Sequence, residues 1–347
     1  MSQEIWGLVE GCVPWEELTP FGVARHRDEY RGGVAVSSQS ELGQALRASH
    51  VRLIVVLPGS GVLTVKPPPR EGVRIVAMDD LDVAGGEVYV RDDVQVTASG
   101  DAQVHAEGRA RVTARDRVRV EARDRARVTV HDHAHVSAHD RVRVDADGRA
   151  HIMAYGSVRV EASGRTRVFA ESRAQVTAHD QTYVNAEGRV EVHAHDQAHV
   201  NAGGHTRITA TGSTITVAHD EAEVRAHDDT RVHVVTGRVR VTARDRAQVY
   251  SFDVGTVTAT DDTTVRAHDS SCVRAGGRAR VAATDTATVS GDEGTVRIWA
   301  TDRVTVTAPP ATALRVTADP TRYAGWDTLD RLWDAAHQPK GSARRSA

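Results

Sequence analysis

The sequence predicts an all-β fold: a three-sided parallel β-helix of octapeptide repeats, about 24 residues per coil, with a small N-terminal cap and a C-terminal helix. Three observations lead there. From Asp92 to about Ala308 the chain repeats one unit, as in Asp116-Arg-Val118-Arg-Val120-Glu-Ala122-Arg followed by Asp124-Arg-Ala126-Arg-Val128-Thr-Val130-His. Within each unit positions 3, 5 and 7 are apolar while 2, 4, 6 and 8 are polar, the period-two alternation of a half-buried strand. Position 1 is Gly or Asp at strict spacing (Gly100, Gly108, Asp116, Asp124, Asp132), residues that tolerate the backbone conformation of a corner.

The number of sides is inferred from a slower period. Position 3 is Ala at 126, 150, 174, 198 and 222 but Val or Thr at 118, 142, 166, 190 and 214, so octads three apart resemble each other more than neighbours do. A 16-residue, two-sided coil would mix Ala and Val in every column. The three-sided reading gives about nine coils and a rod of roughly 45 Å. The phase runs unbroken from Asp92 to Asp228, gains one residue before Gly237 and another before Gly294. Each octad buries mainly one Val or Ile, worth about 1.5–3 kcal/mol, so stability must accumulate along the array.

The ends differ from the array. Residues 1–70 form the expected N-terminal cap. Trp6, Trp15, Phe21 and Tyr30 suggest a small packed lid, and Ser40-Glu-Leu42-Gly-Gln-Ala45-Leu46 reads as a short helix with a Ser N-cap. The strand-like run Val51 to Leu57 and the turn Pro58-Gly59 follow. This helix, strand and Pro-Gly turn resemble the start of right-handed parallel β-helix proteins of the pectin-lyase-like kind, in which a helix plugs the first coil. The resemblance spans about 25 residues, implies a plugged solenoid and carries no catalytic residue. The array is assigned to 71–318, with a last strand around Ala313 to Thr317. A capping helix is expected over 319–337, its apolar face made by Trp326, Leu329, Leu332 and Trp333. Residues 338–347 read as a disordered tail.

Composition narrows the function classes. Aromatics are 4% of the chain, too few for a large globular core, and the formal net charge of −3 gives no global pull toward nucleic acid or anionic lipid. Two cysteines, Cys12 and Cys272, make no disulfide framework, and no signal-like or membrane-spanning run is present, so a cytoplasmic protein with no membrane contact is expected. Nucleophile-elbow, P-loop, HExxH and dinucleotide motifs are missing, and eight-residue sides give a groove no walls. No catalytic residue, cofactor or metal is therefore assigned.

Three sets of residues are candidates for function. On a 24-residue coil Arg117, Arg141, Arg165 and Arg189 share one column, an arginine ladder that Glu121, Asp145 and Glu191 offset in part. Its ordinary reading is a solvated face, and its alternative is an anion-binding strip. Arg225, Tyr250, Arg274 and Trp299 would alternate guanidinium and aromatic planes up a second column, a stabilising surface ladder or a partner contact. His193, His195 and His219 would converge as a weak metal site, against which stands the lack of any Cys or Glu to complete it. Ice binding is set aside because flat Thr columns are missing. The expected function is a non-enzymatic scaffold or protein-interaction solenoid, self-assembling or part of a larger assembly. A polysaccharide-acting β-helix enzyme and a polyanion-binding surface are the alternatives.

Overall fold

The computed structural model describes residues 33–66, 69, 72–294, 296–300, 303–307 and 315–317. They form a parallel β-solenoid in which each octad supplies one four-residue strand at positions 4 to 7, as in Arg119–Ala122, Arg127–Val130 and His135–Ala138. Pairing skips one strand. Arg119–Ala122 lies in register between Gln103–Ala106 and His135–Ala138, and Arg127–Val130 between Arg111–Ala114 and Arg143–Ala146. The coil is thus two octads, 16 residues, and the three-sided coil of 24 is corrected to a two-sided one. Among the described residues 34 strands divide into an 18-stranded sheet, here sheet A, and a 16-stranded sheet B. Two strands per coil make about 17 coils from those 34 strands. At ~4.8 Å per coil the rod is roughly 80 Å long, not 45 Å.

Side-chain volume explains why two sheets suffice. The inward residues of a typical strand are one Val and one Ala, such as Val120 and Ala122 facing Val128 and Val130, all essentially inaccessible to solvent. Side chains this small fill the slot between two facing sheets. A triangular interior would leave an axial void that they could not reach across, and voids forfeit dispersion contacts.

The position-3 columns do mix residue types: Ala102, Val118, Ala134, Ala150, Thr166 and Thr182 stack at one corner, every one buried. They interchange because each fits beneath the corner turn, and Thr gains a bond there. Thr166 Oγ1 donates to the Ser163 carbonyl at 2.7 Å and Thr182 Oγ1 to that of His179 at 2.7 Å. The 24-residue resemblance at this position therefore carried no packing information.

The corners are built on position 1 in the left-handed region, with φ of 66° at Gly100, 60° at Asp116 and 60° at Asp124. The two one-residue insertions lie where the phase of the sequence puts them. Strand Arg231–Val234 is followed nine residues on by Arg240–Ala243, and Thr288–Gly294 by Arg297–Ala300.

At the N-terminal end Val34–Val36 opens sheet A by pairing with Leu53–Val56. The expected helix is present as Gln39–Arg47, capped by Ser38, whose side chain accepts from the Glu41 N–H; Leu42 and Ala45 are buried. The cap is Ser38 rather than Ser40, because Ser38 holds the extended backbone an N-cap needs. Gln39 then acts as a surrogate strand. Its Nε2 donates to the Thr64 carbonyl and its Oε1 accepts the Thr64 N–H, both at 2.8 Å, on the open edge of Leu63–Val65, the first strand of sheet B. An uncovered edge there would template association. The backbone of Arg315–Thr317 forms the last strand of sheet A, beside Arg297–Ala300. The aromatic lid at Trp6 to Tyr30, the helix over 319–337 and the tail over 338–347 lie outside the described residues. Among the described residues no helix is long and apolar enough to cross a membrane.

Candidate functional site

Parallel in-register pairing turns every outward position into a column whose neighbours are 16 residues apart. This regroups the sequence-predicted residues. Arg117 and Arg165 sit where the chain passes from sheet B to sheet A, whereas Arg141 and Arg189 sit at the opposite corner, so the four do not form one ladder. Of the carboxylates expected beside them, Glu121 lies in sheet A and Asp145 and Glu191 in sheet B. Arg117 instead pairs with Asp101 at 3.0 Å, and Arg165 Nε donates to Gln181 Oε1 at 3.1 Å, each partner one coil away.

The aromatic and guanidinium column divides likewise. Arg225 and Arg274 are on sheet B, Tyr250 and Trp299 on sheet A. Stacking is real but has other members: Tyr250 lies against His233, centroids 4.8 Å apart, with the Arg266 guanidinium 5.3 Å from its ring centre. Arg274 is held by Asp292 at 2.5 Å.

The three histidines do not converge. His193 and His195 belong to the Glu191–Ala194 strand and its corner in sheet B, and His219 to the far corner after Ile215–Ala218 of sheet A. His219 is engaged by Asp220 at 3.0 Å and Glu187 at 3.8 Å. Among the described residues no group of three His, Cys, Asp or Glu could hold a metal ion.

Imidazoles instead stack along the rod. His179 and His195 have centroids 4.9 Å apart, His135 and His151 5.0 Å, and Tyr89 and His105 4.6 Å. Partial burial, reinforced by the positive charge of the stacked neighbour, pushes His195 and His151 below the ordinary imidazole range. The Arg123 guanidinium, hydrogen-bonded at 2.6 Å, holds Glu121 below the usual carboxylate range.

Three surface features escaped the 24-residue alignment, and a comparison at spacing 16 would have exposed each. Thr97, Thr113 and Thr129 stack directly on sheet B, so Thr columns do exist, interrupted above by Asp145 and Glu161. At that interruption a depression of about 390 Å³ opens, lined by His131, Arg143, Asp145, Asp147, Glu161 and His179. Arg143 bridges Asp145 at 3.2 Å and Glu161 at 3.4 Å, and His131 Nδ1 lies 2.9 Å from Asp147. The third feature is an unbroken column in sheet B of Arg111, Arg127, Arg143 and Arg159, each directly paired with the next. No protein-family model, curated protein or solved structure matches this chain.

Proposed function

We propose that the protein is a non-enzymatic structural rod, a scaffold or protein-interaction surface that works within a larger assembly. The observation that carries this reading is the continuity of the coil. From Arg74–Ala77 to Arg297–Ala300 each strand hands over to the next through a short corner, and pairing persists through both one-residue insertions. Among the described residues, nothing along this stretch supplies the long loops that wall a catalytic cleft. Outward side chains are spent on one another, in Arg246–Asp229 at 2.7 Å, Arg278–Asp262 at 2.5 Å and the stacked rings, which stiffens the surface that a partner would meet.

A second reading, an enzyme acting on acidic polysaccharide, is favoured by the depression at Asp145 and Glu161, two carboxylates in direct register on stacked strands beside Arg143. Against it, the ion pairs of Arg143 already occupy both acids. One experiment separates the two readings. The full chain purified from its native cells should carry a stoichiometric partner cross-linked to outward positions, and should leave a panel of acidic polysaccharides intact. Depolymerisation that disappears in the Asp145→Asn, Glu161→Gln double variant would replace the scaffold by the enzyme.

A further inference from the structure

Elsewhere on the rod a column that holds Arg tends to hold an acid in the next coil. Arg207 meets Glu223, Arg246 meets Asp229 and Arg278 meets Asp262. Over four consecutive coils of sheet B this rule fails. At position 4, Arg111, Arg127, Arg143 and Arg159 stand in direct register, and at position 2, on the adjoining corner, Arg109, Arg125 and Arg141 stand beside the first three.

All seven are exposed. Arg143 alone among them is engaged by carboxylates; the other six have no acidic side chain within 4.0 Å among the described residues. The nearest corner carboxylates are already committed to the backbone, since Asp124 Oδ2 accepts the Gly108 N–H at 3.0 Å and Asp140 Oδ2 the Asp124 N–H at 3.3 Å. Like charges stacked at ~4.8 Å repel one another, and apart from Arg143, which Asp145 and Glu161 hold, the fold places them here without an ion pair among the described residues.

The equivalent strip of sheet A is different in kind. Imidazoles His133, His135 and His151 interrupt its arginines, and Arg117 is paired with Asp101.

We infer that this strip of sheet B binds the phosphodiester backbone of nucleic acid, without reading bases. Guanidinium forks match phosphate oxygens in two-point contact. The Thr113 and Thr129 hydroxyls in the next column are further donors of the kind that contact phosphates. The four rows span roughly 14 Å, and a duplex strand carries a charge about every 3.4 Å along its axis, so one strand lays about four phosphates on the strip. The four strands carry no aromatic side chain on which bases could stack, and Tyr155 on the adjoining corner is already stacked on His139, so contact is confined to the backbone.

The test is fluorescence anisotropy of the full chain with a labelled 20-base-pair duplex of mixed sequence, titrated from about 50 to 200 mM salt. The expected dependence of log affinity on log salt has a slope near −3.6, that is −0.9 for each of about four phosphates. The Arg111→Gln, Arg127→Gln, Arg159→Gln variant should bind at least tenfold more weakly at about 100 mM salt, with the slope reduced by about 3. The Arg149→Gln, Arg167→Gln variant of sheet A should match the parent. All five positions are exposed, and circular dichroism checks the fold of each variant; should the triple variant misfold, the parent's slope and the sheet A control decide alone. No binding by the parent, a slope near zero, or equal loss in the sheet A variant overturns the inference. So does heparin binding with the same arginine dependence but no nucleic-acid binding, which would assign the strip to sulfated polysaccharide.

Discussion

The Asp124 carboxylate accepts the backbone N–H of Gly108, 16 residues earlier, at 3.0 Å. The same relationship joins Asp116 to Gly100, Asp180 to Gly164, Asp220 to Gly204 and Asp253 to Gly237. In the first four of these corners the N–H of position 2 donates to the carbonyl of position 1 in the coil before it, as Arg117 does to Gly100 and Arg125 to Gly108. The N–H of position 1 has no such ladder partner, and the carboxylate of the following coil takes it. Asp is therefore favoured over the other residues that tolerate a left-handed backbone, because it alone closes the corner with a charge-assisted bond.

Replacing Asp124 separates the two contributions. Asp124→Gly keeps the left-handed corner and loses the bond, for an expected cost of about 1 kcal/mol on this exposed edge. Asp124→Ala also places a Cβ-bearing residue without side-chain compensation at φ 60°, which adds about 1 kcal/mol more. Urea unfolding should rank the native chain above Gly and Gly above Ala. Equal stability of the two variants would show that the backbone conformation is not strained.

Thr216 stands in the inward position that Val holds in the strands beside it, Val200 and Val232, and its Oγ1 is buried with no hydrogen-bond partner among the described residues. Thr216→Val keeps the shape and removes an unsatisfied hydroxyl, so it should raise stability by about 1 kcal/mol. A drop in the unfolding midpoint would mean that the hydroxyl is satisfied in solution.

Acidification should weaken the rod in two windows. His151 and His195 have pKa values depressed in the folded state, so their contribution is complete above the unfolded value near 6.5 and declines as pH falls through the folded one. Burial is the first cause, and the groups facing them add to it: His135, Arg167 and His133 around His151, and His179 and His193 around His195, with Asp196 opposing. The His151→Gln, His195→Gln variant should lose less stability than its parent between pH 7 and 5. Asp285, hydrogen-bonded first by the Thr284 hydroxyl and then by the Asp269 N–H, and Asp220, bonded first by the Gly204 N–H and then by His219, are also depressed. Their contribution is present above about pH 3.9 and lost as pH falls through the folded values. Identical pH profiles for parent and double variant would remove the histidine window.

Local features of this fold were legible in the sequence, and the long-range one was not. Alternation set Val120 and Ala122 inside and Arg119 and Glu121 outside, because the period of two belongs to the strand itself. The corners at Asp116 and Asp124 and the added residues before Gly237 and Gly294 were equally visible, since each needs only its own octad. The coil length depends on which octads stack, and the position chosen to reveal it, position 3, accepts Ala, Val and Thr alike. A period of 24 misplaces every column, joining Arg117 to Arg141 across opposite corners and Tyr250 to Arg274 across opposite sheets. The outward columns held the better signal. Thr97, Thr113 and Thr129, or Arg111, Arg127 and Arg143, repeat at 16 because neighbours in a parallel ladder touch.

The two-sided coil is the claim on which every column here depends, and disulfide trapping tests it directly. In a chain with Cys12 and Cys272 replaced by Ser, the pair Thr113→Cys and Thr129→Cys puts two thiols on adjacent strands in direct register. Their Cα atoms, ~4.8 Å apart as in any parallel ladder, fall within the range a disulfide spans. The pair Thr129→Cys and Met153→Cys, 24 residues apart, puts them on the outer faces of opposite sheets. Mild oxidation should close the first pair to completion and leave the second reduced. Ready closure of the second pair with the first left open would contradict the 16-residue coil and restore the three-sided one.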